Sequence, residues 1–232
     1  MNLSAFYAAI GTALWLVSAA AQATGVLPES SVVIVEESDG EGAINLKNTD
    51  AFPVLLLTSL LDIDEDKEAL LSVTPPAARV EPDKSQRVRF MLTSQAPLKT
   101  ERLKRVVFEG VPPQKKGESL MRMNVRQNLP VLIRPAGLAR DEAPWKRLVW
   151  SFKAGVLSVN NPSPYVVRLG QGVSTLPDGS TWQLPHSYVL PGQQLTLEAQ
   201  KQGATGTPGA VRISPATTWG FTVDSYEAPL TL

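Results

Sequence analysis

The sequence predicts an all-β protein built as sandwiches, on three observations. Short runs of β-branched and aliphatic residues alternate with Gly, Pro, Asn, Asp and Ser at regular intervals, the punctuation of a strand-and-turn fold. Beyond the first two dozen residues no segment carries the apolar period of a long amphipathic helix. The stretch 121–133 opens with strict apolar/polar alternation, the mark of a strand with one buried face.

The elements follow in order. Val32–Val35 is an apolar run that ends in the turn Ser38-Asp39-Gly40-Glu41-Gly42. Extended character resumes at Ala43–Lys47 and stops at Asn48-Thr49-Asp50. Val54–Leu61 is apolar throughout, so periodicity alone does not separate helix from strand; Pro53 before it and the acidic loop Asp62–Glu68 after it favour a strand. Val73-Thr74-Pro75-Pro76 reads as extended and polyproline-like. Pro82-Asp83-Lys84-Ser85 is a tight turn before Gln86–Leu92. Leu103–Phe108 is a further strand, closed by Gly110-Val111-Pro112-Pro113 and the polar loop Gln114–Ser119. Residues 121–133 then read as an edge strand, because Pro130 lacks the N–H that a central strand needs. An apolar-faced edge is an aggregation hazard that a protein keeps when it uses the edge to pair with another chain.

Past Arg134-Pro135 the texture changes. The remainder holds four of the five tryptophans and most of the glycines. Val149–Phe152, Val156–Asn160, Val166–Leu169, Tyr188–Leu190, Leu195–Ala199, Val211–Ser214 and Trp219–Val223 read as its strands. Residues 1–23 read as a secretory signal: Ala5 to Ala21 is almost wholly apolar and Ala21-Gln22-Ala23 is an A-x-A cleavage site. The mature chain, 24–232, is long enough for two domains, expected at 24–134 and 135–232. It contains no cysteine, so an exported protein of this sequence is held by its core without disulfides, and thiolate metal sites and cysteine nucleophiles are excluded. Lys plus Arg and Asp plus Glu are both 22, so no net charge draws it to nucleic acid or acidic lipid. The charge is uneven: residues 26–46 carry acids and no base, and 79–147 carry most of the bases.

Catalytic chemistry is nearly absent. His186 is the one histidine, beside Pro185 in a loop, with no triad partners nearby in sequence, and reads as a surface residue. No nucleophile elbow, zinc-helix or phosphate-loop pattern occurs. Asp62, Asp64, Glu65 and Asp66 lack the glycine and distal glutamate of a calcium loop, and read as a solvated acidic loop. No metal, cofactor or enzyme activity is expected, and binding is the leading class of function.

Four segments together resemble the periplasmic chaperones of the pilus chaperone–usher pathway: Val73-Thr74-Pro75-Pro76 through Arg79-Val80-Glu81-Pro82, Met121–Pro135, Leu157–Tyr165 with its Asn161-Pro162-Ser163-Pro164-Tyr165 signature, and Val189-Leu190-Pro191-Gly192. Their order and spacing fit along the whole mature chain. The resemblance implies two immunoglobulin-like sandwiches in a boomerang arrangement, in the periplasm. It implies pilus or fimbrial subunits as partners, bound by donating a strand to a sandwich that lacks one, and delivery to an outer-membrane usher. Met121, Met123 and Val125, with Leu129 on the same parity, would be the donated side chains. The competing reading of the residues is that they face their own domain's core. Self-capping as a homodimer is left open.

The resemblance further implies an inter-domain ion cluster of Glu101, Arg134 and Asp224. It also exposes a departure. The family grips a subunit's C-terminal carboxylate with an Arg and a Lys, which fall here on Ser31 or Val32 and on Pro130, none of them charged. Arg122, Arg126 and Lys104 are the substitute cations nearby. The rival reading is a secreted structural or adhesive sandwich of a fimbrial system, disfavoured because only Thr24–Glu29 precede the first strand.

Overall fold

The computed structural model describes residues 25–94, 96–113, 125–203, 206–217 and 223–231. Met121, Arg122 and Met123 lie outside the described residues. Twenty strands and one 3-10 turn, Pro144–Arg147, make up the regular structure of the described residues.

Nine strands form the first sheet: β1 (Val26–Pro28), β2 (Val33–Glu36), β3 (Glu41–Asn48), β4 (Val54–Leu61), β5 (Leu71–Thr74), β6 (Ala77–Val80), β7 (Ser85–Leu92), β8 (Arg102–Val111) and β9 (Arg126–Arg134). They run in the order β5-β7-β3-β2-β9-β8-β4-β6, with β1 added to β3. Val54–Leu61 is a strand, as its flanks indicated. Side chains alternate across each strand. In β7 Val88 and Phe90 are fully buried while Arg87 and Arg89 point outward. The same parity sends Val35, Ile44, Leu46, Val106, Phe108, Val131 and Ile133 into one core. Val73 and Thr74 are extended in β5, and because β5 pairs with β7 and β6 with β4, Pro75-Pro76 carries the chain from one end of the sheet order to the other. Gly42 sits where a Cβ would come within 2.1 Å of the Ile34 carbonyl oxygen, which lets the β2–β3 corner close tightly.

The second set is β10 (Val149–Lys153), β11 (Val156–Asn160), β12 (Val167–Leu169), β13 (Gly172–Leu176), β14 (Thr181–Gln183), β15 (Tyr188–Val189), β16 (Gln194–Thr196), β17 (Glu198–Lys201), β18 (Ala210–Ile213), β19 (Pro215–Ala216) and β20 (Tyr226–Thr231). Eight of them form a sheet ordered β16-β11-β10-β20-β18-β13-β14-β17, and β15-β12-β19 form the second layer. Trp150, Leu157, Leu184 and Val211 are at its centre. Strands β1–β9 hydrogen-bond only among themselves, and so do β10–β20.

A third, smaller apolar cluster joins the two halves. Val32, Ile63, Leu103 and Leu132 of the first meet Val166 of the second, flanked by Tyr188 and Leu190.

Candidate functional site

The edge reading of 121–133 is correct for half of the strand. Residues 131–134 are central: Val131–Arg134 pair parallel with Val33–Glu36 of β2 and antiparallel with β8. Among the described residues, 126–130 pair with β8 alone, Arg126 facing Glu109 and Pro130 facing Arg105. Pro130 therefore stands at the boundary, the last residue before β2 begins to pair, where its missing N–H disrupts no ladder on the β2 side. The open edge of 126–130 leads back to Val125, which is 49% exposed. Leu129 shares the parity of Val131 and Ile133 and packs on its own domain's core, so its apolar side is already partly covered.

Beside this strand lies a buried ion cluster. Arg134 is the last residue of β9; its Nε is 3.3 Å from Glu101 Oε1 and its Nη1 3.1 Å from Glu36 Oε1. The side chains of Arg134 and Glu101 are 5% and 1% exposed. The second Glu101 oxygen accepts the Val166 backbone N–H at 2.8 Å, and the Glu101 N–H donates to the Pro164 carbonyl at 2.9 Å. Burial pushes the Glu101 carboxyl above its ordinary value, and the Val166 N–H and Arg134 offset only part of this. The third member is Glu36, not Asp224. Asp224 is exposed just ahead of β20, and among the described residues no ion pair joins it to Arg134 or Glu101. Glu36 carried no signal in the sequence: it joins because β2 and β9 run parallel with Glu36 opposite Arg134.

Further bonds fix one half against the other. The Ala136 N–H donates to Glu37 Oε2 at 2.7 Å and Arg140 reaches Glu36 at 3.3 Å, while within the second half the Tyr165 hydroxyl donates to the Ala139 carbonyl at 2.8 Å. Asn161, from the Asn-Pro-Ser-Pro-Tyr segment, is fully buried and donates to the Tyr165 and Val189 carbonyls, which ties that turn to the Val-Leu-Pro-Gly loop.

Two of the three substitute cations are described, and both are occupied. Lys104 is buried; its Nζ lies 2.8 Å from Asp62 and 3.0 Å from Asp66. Asp66 also holds Arg102 at 2.7 Å. Burial works to raise the Asp66 pKa, but hydrogen bonds from Arg102 and Lys104 outweigh it and hold the group at about 2. The acidic loop is thus closed onto β8 rather than simply solvated. Arg126 is exposed and pairs with Glu109 at 2.7 Å. Of the uncharged positions, Val32 and Pro130 are buried and Ser31 is exposed. His186 is half-buried rather than on the open surface: it stacks on Tyr188 with ring centroids 4.3 Å apart, and its Nε2 is 3.0 Å from Glu65.

A two-sandwich fold, joined through a buried Arg–Glu pair at the end of a half-open strand, is the frame into which comparison with known proteins falls. Residues 25–139 match the pili and flagellar-assembly chaperone family, PapD N-terminal domain, and residues 143–226 match the pili assembly chaperone PapD, C-terminal domain. The chain is 40% identical over 209 residues to the fimbrial chaperone YhcA of Escherichia coli strain K12, covering 90% of this chain and 92% of that one. Among solved structures, Salmonella enterica SafB chaperone in complex with SafA pilin is similar with a TM-score of 0.71 at 22% identity, covering 91% of this chain and 99% of that one. The Pseudomonas aeruginosa CupB2 chaperone is similar with a TM-score of 0.68 at 25% identity, covering 88% and 100%. The protein belongs to the pilus-assembly chaperone family, and its fold is that family's pair of immunoglobulin-like domains.

Proposed function

We propose that this protein is a non-enzymatic periplasmic chaperone that captures pilus or fimbrial subunits by lending them a strand and passes them to an outer-membrane usher. The observation that carries the reading is the one-sided pairing of 126–130. A subunit sandwich lacking a strand exposes core to water and leaves two sheet edges unpaired. The edge of β9 left open among the described residues, with the alternating sequence of 121–125 ahead of it, offers both missing things: ladder hydrogen bonds and apolar side chains at every second position. Val125 stands ready on that edge, half in water. Each such side chain, once buried, stabilises the complex by about 1.5–3 kcal/mol. Leu129 is seated in its own core and acts as the support of the ribbon more than as a donor.

The buried Arg134–Glu101–Glu36 cluster supports a positioning role, holding the second domain at a fixed angle beside the ribbon. The leader-like first 23 residues and the family support the periplasmic placement. Burial of the client's core supplies the driving force, so no cofactor or nucleotide is required.

The test is affinity purification of the tagged chain from periplasm, with mass spectrometry of what comes with it. A stoichiometric pilus subunit is expected. A chain that emerges alone, or assembled into fibres of itself, contradicts the reading.

A further inference from the structure

The loop between β4 and β5 begins with the acidic stretch Asp62–Glu68. Like charges this dense repel and favour an extended, solvated loop, yet β8 holds it down. The Lys104 ammonium donates to Asp62 Oδ1 and to the Asp66 carbonyl, both at 2.8 Å. Arg102 grips Asp66 with two N–H groups at 2.7 Å each and reaches Glu68 at 2.9 Å. Ile63 forms a single bridge with Asp66 and lies in the apolar cluster between the domains. Asp64 and Glu65 are therefore the tip of a turn fastened on both sides.

The side-chain partners of Glu65 among the described residues all belong to the second domain. Its Oε2 accepts the Tyr188 hydroxyl at 2.9 Å. Its Oε1 accepts a long hydrogen bond from Gln193 Nε2 at 3.5 Å and stands 3.0 Å from His186 Nε2, an approach too poorly aligned to be a hydrogen bond. Burial raises the Tyr188 pKa and the bond to Glu65 raises it further, so the hydroxyl keeps the proton it donates. The receiving side is itself tied down. Tyr188 pairs with Arg168 across β15 and β12, its ring stacks on His186, and Gln193 Oε1 accepts the Leu190 N–H at 2.9 Å.

We infer that Glu65 is a positioning residue, the tip of a strap that pins the second domain and fixes the angle of the cleft. The domains are also joined by the chain itself at 134–136 and by Glu101, which bonds to Pro164 and Val166. Two attachments leave one rotation free, about the line between them. The apolar cluster at the contact holds the domains together, but burial is non-directional and does not choose an angle. Glu65 and Glu101 both line a cavity of about 330 Å³, with Leu190 and Pro191 on the second domain's side. The strap is thus a separate attachment and not part of one packed interface. Its directional bond to Tyr188 stops the remaining rotation. The inference rests on the chaperone reading for its use alone: a fixed angle holds the second domain against a client paired with 126–130.

The test measures residual dipolar couplings of the nitrogen-15-labelled mature protein in a dilute liquid crystal, with Arg134 and Glu101 intact. In the parent one alignment tensor should fit both domains. Glu65→Ala should split it into two tensors, each still fitting its own domain, and Tyr188→Phe should do the same. The double variant should go no further than either single one, because both remove one bond. Glu65→Gln should restore the shared tensor, since its amide oxygen still accepts the Tyr188 hydroxyl. A shared tensor in Glu65→Ala and Tyr188→Phe, two tensors in the parent, or two in Glu65→Gln overturns the assignment. In the periplasmic purification Glu65→Ala should bring several-fold less subunit than the parent, because only a fraction of its molecules hold the binding angle, and Glu65→Gln should match the parent. Equal yields from Glu65→Ala and the parent overturn the positioning role. The couplings need no subunit, so their failure leaves the chaperone reading standing. A parent that brings no subunit removes the chaperone reading, and the couplings alone then decide the strap.

Discussion

Replacing Arg134 with Ala strands Glu101, a carboxylate 1% exposed with one backbone N–H left to stabilise it. A stranded buried carboxylate escapes by taking a proton. Keeping a group of ordinary value 4.5 protonated costs about 1.4 kcal/mol for each pH unit above it. The loss of stability is therefore capped electrostatically at about 3 kcal/mol at pH 7 and about 1 kcal/mol at pH 5. The sign follows from linkage. Glu101 is raised in the folded protein, so the folded state binds the proton more tightly than the unfolded chain, and stability falls as pH rises above 4.5. The variant steepens that fall. Urea unfolding followed by far-ultraviolet circular dichroism at both pH values measures the difference. Repeating it in a Glu101→Gln background should remove most of the pH dependence, because no carboxylate is left to strand. Equal destabilisation at pH 5 and pH 7, or less than about 1 kcal/mol at pH 7, refutes the reasoning.

Val125→Asp should change stability by less than about 0.5 kcal/mol, since the side chain is half in water, yet abolish subunit capture in the periplasmic purification; Met123→Asp should abolish capture likewise. Asp66→Asn should destabilise by about 2 kcal/mol at most at neutral pH, less whatever solvent screens, through loss of its pairs with Arg102 and Lys104. The parent should lose that contribution as pH falls from about 4 to about 2, because a depressed carboxylate stabilises only while ionised; acid titration of the unfolding midpoint reads it. Gly42→Ala should cost about 1–3 kcal/mol by thermal unfolding, because the added carbon meets a backbone oxygen that cannot step aside.

The all-β architecture was legible because strand patterning is local: period-two runs such as 86–92 and the turn signals between them need no knowledge of the partner strand. Glu101 and Arg134 were legible through the family resemblance. The rest depends on pairing, which sequence does not display. Glu36 joins the cluster because β2 runs parallel to β9, a register fixed only once both strands are placed. Asp224 fails to join because it stands exposed in the segment just ahead of β20. Lys104 looked free in sequence because the acidic loop that neutralises it lies some forty residues away. Pro130 signalled an edge, and the strand is an edge on one side of it only.

The central claim is that the open edge of β9 becomes a paired strand when a client is held. Backbone amide hydrogen exchange of the chaperone, alone and with the subunit that accompanies it from periplasm, tests this directly. The account predicts that slow exchange spreads over 121–129 in the complex, while 131–134, already paired on both sides, change little. Protection that appears elsewhere while the amides of 121–129 exchange as fast as in the free protein contradicts it.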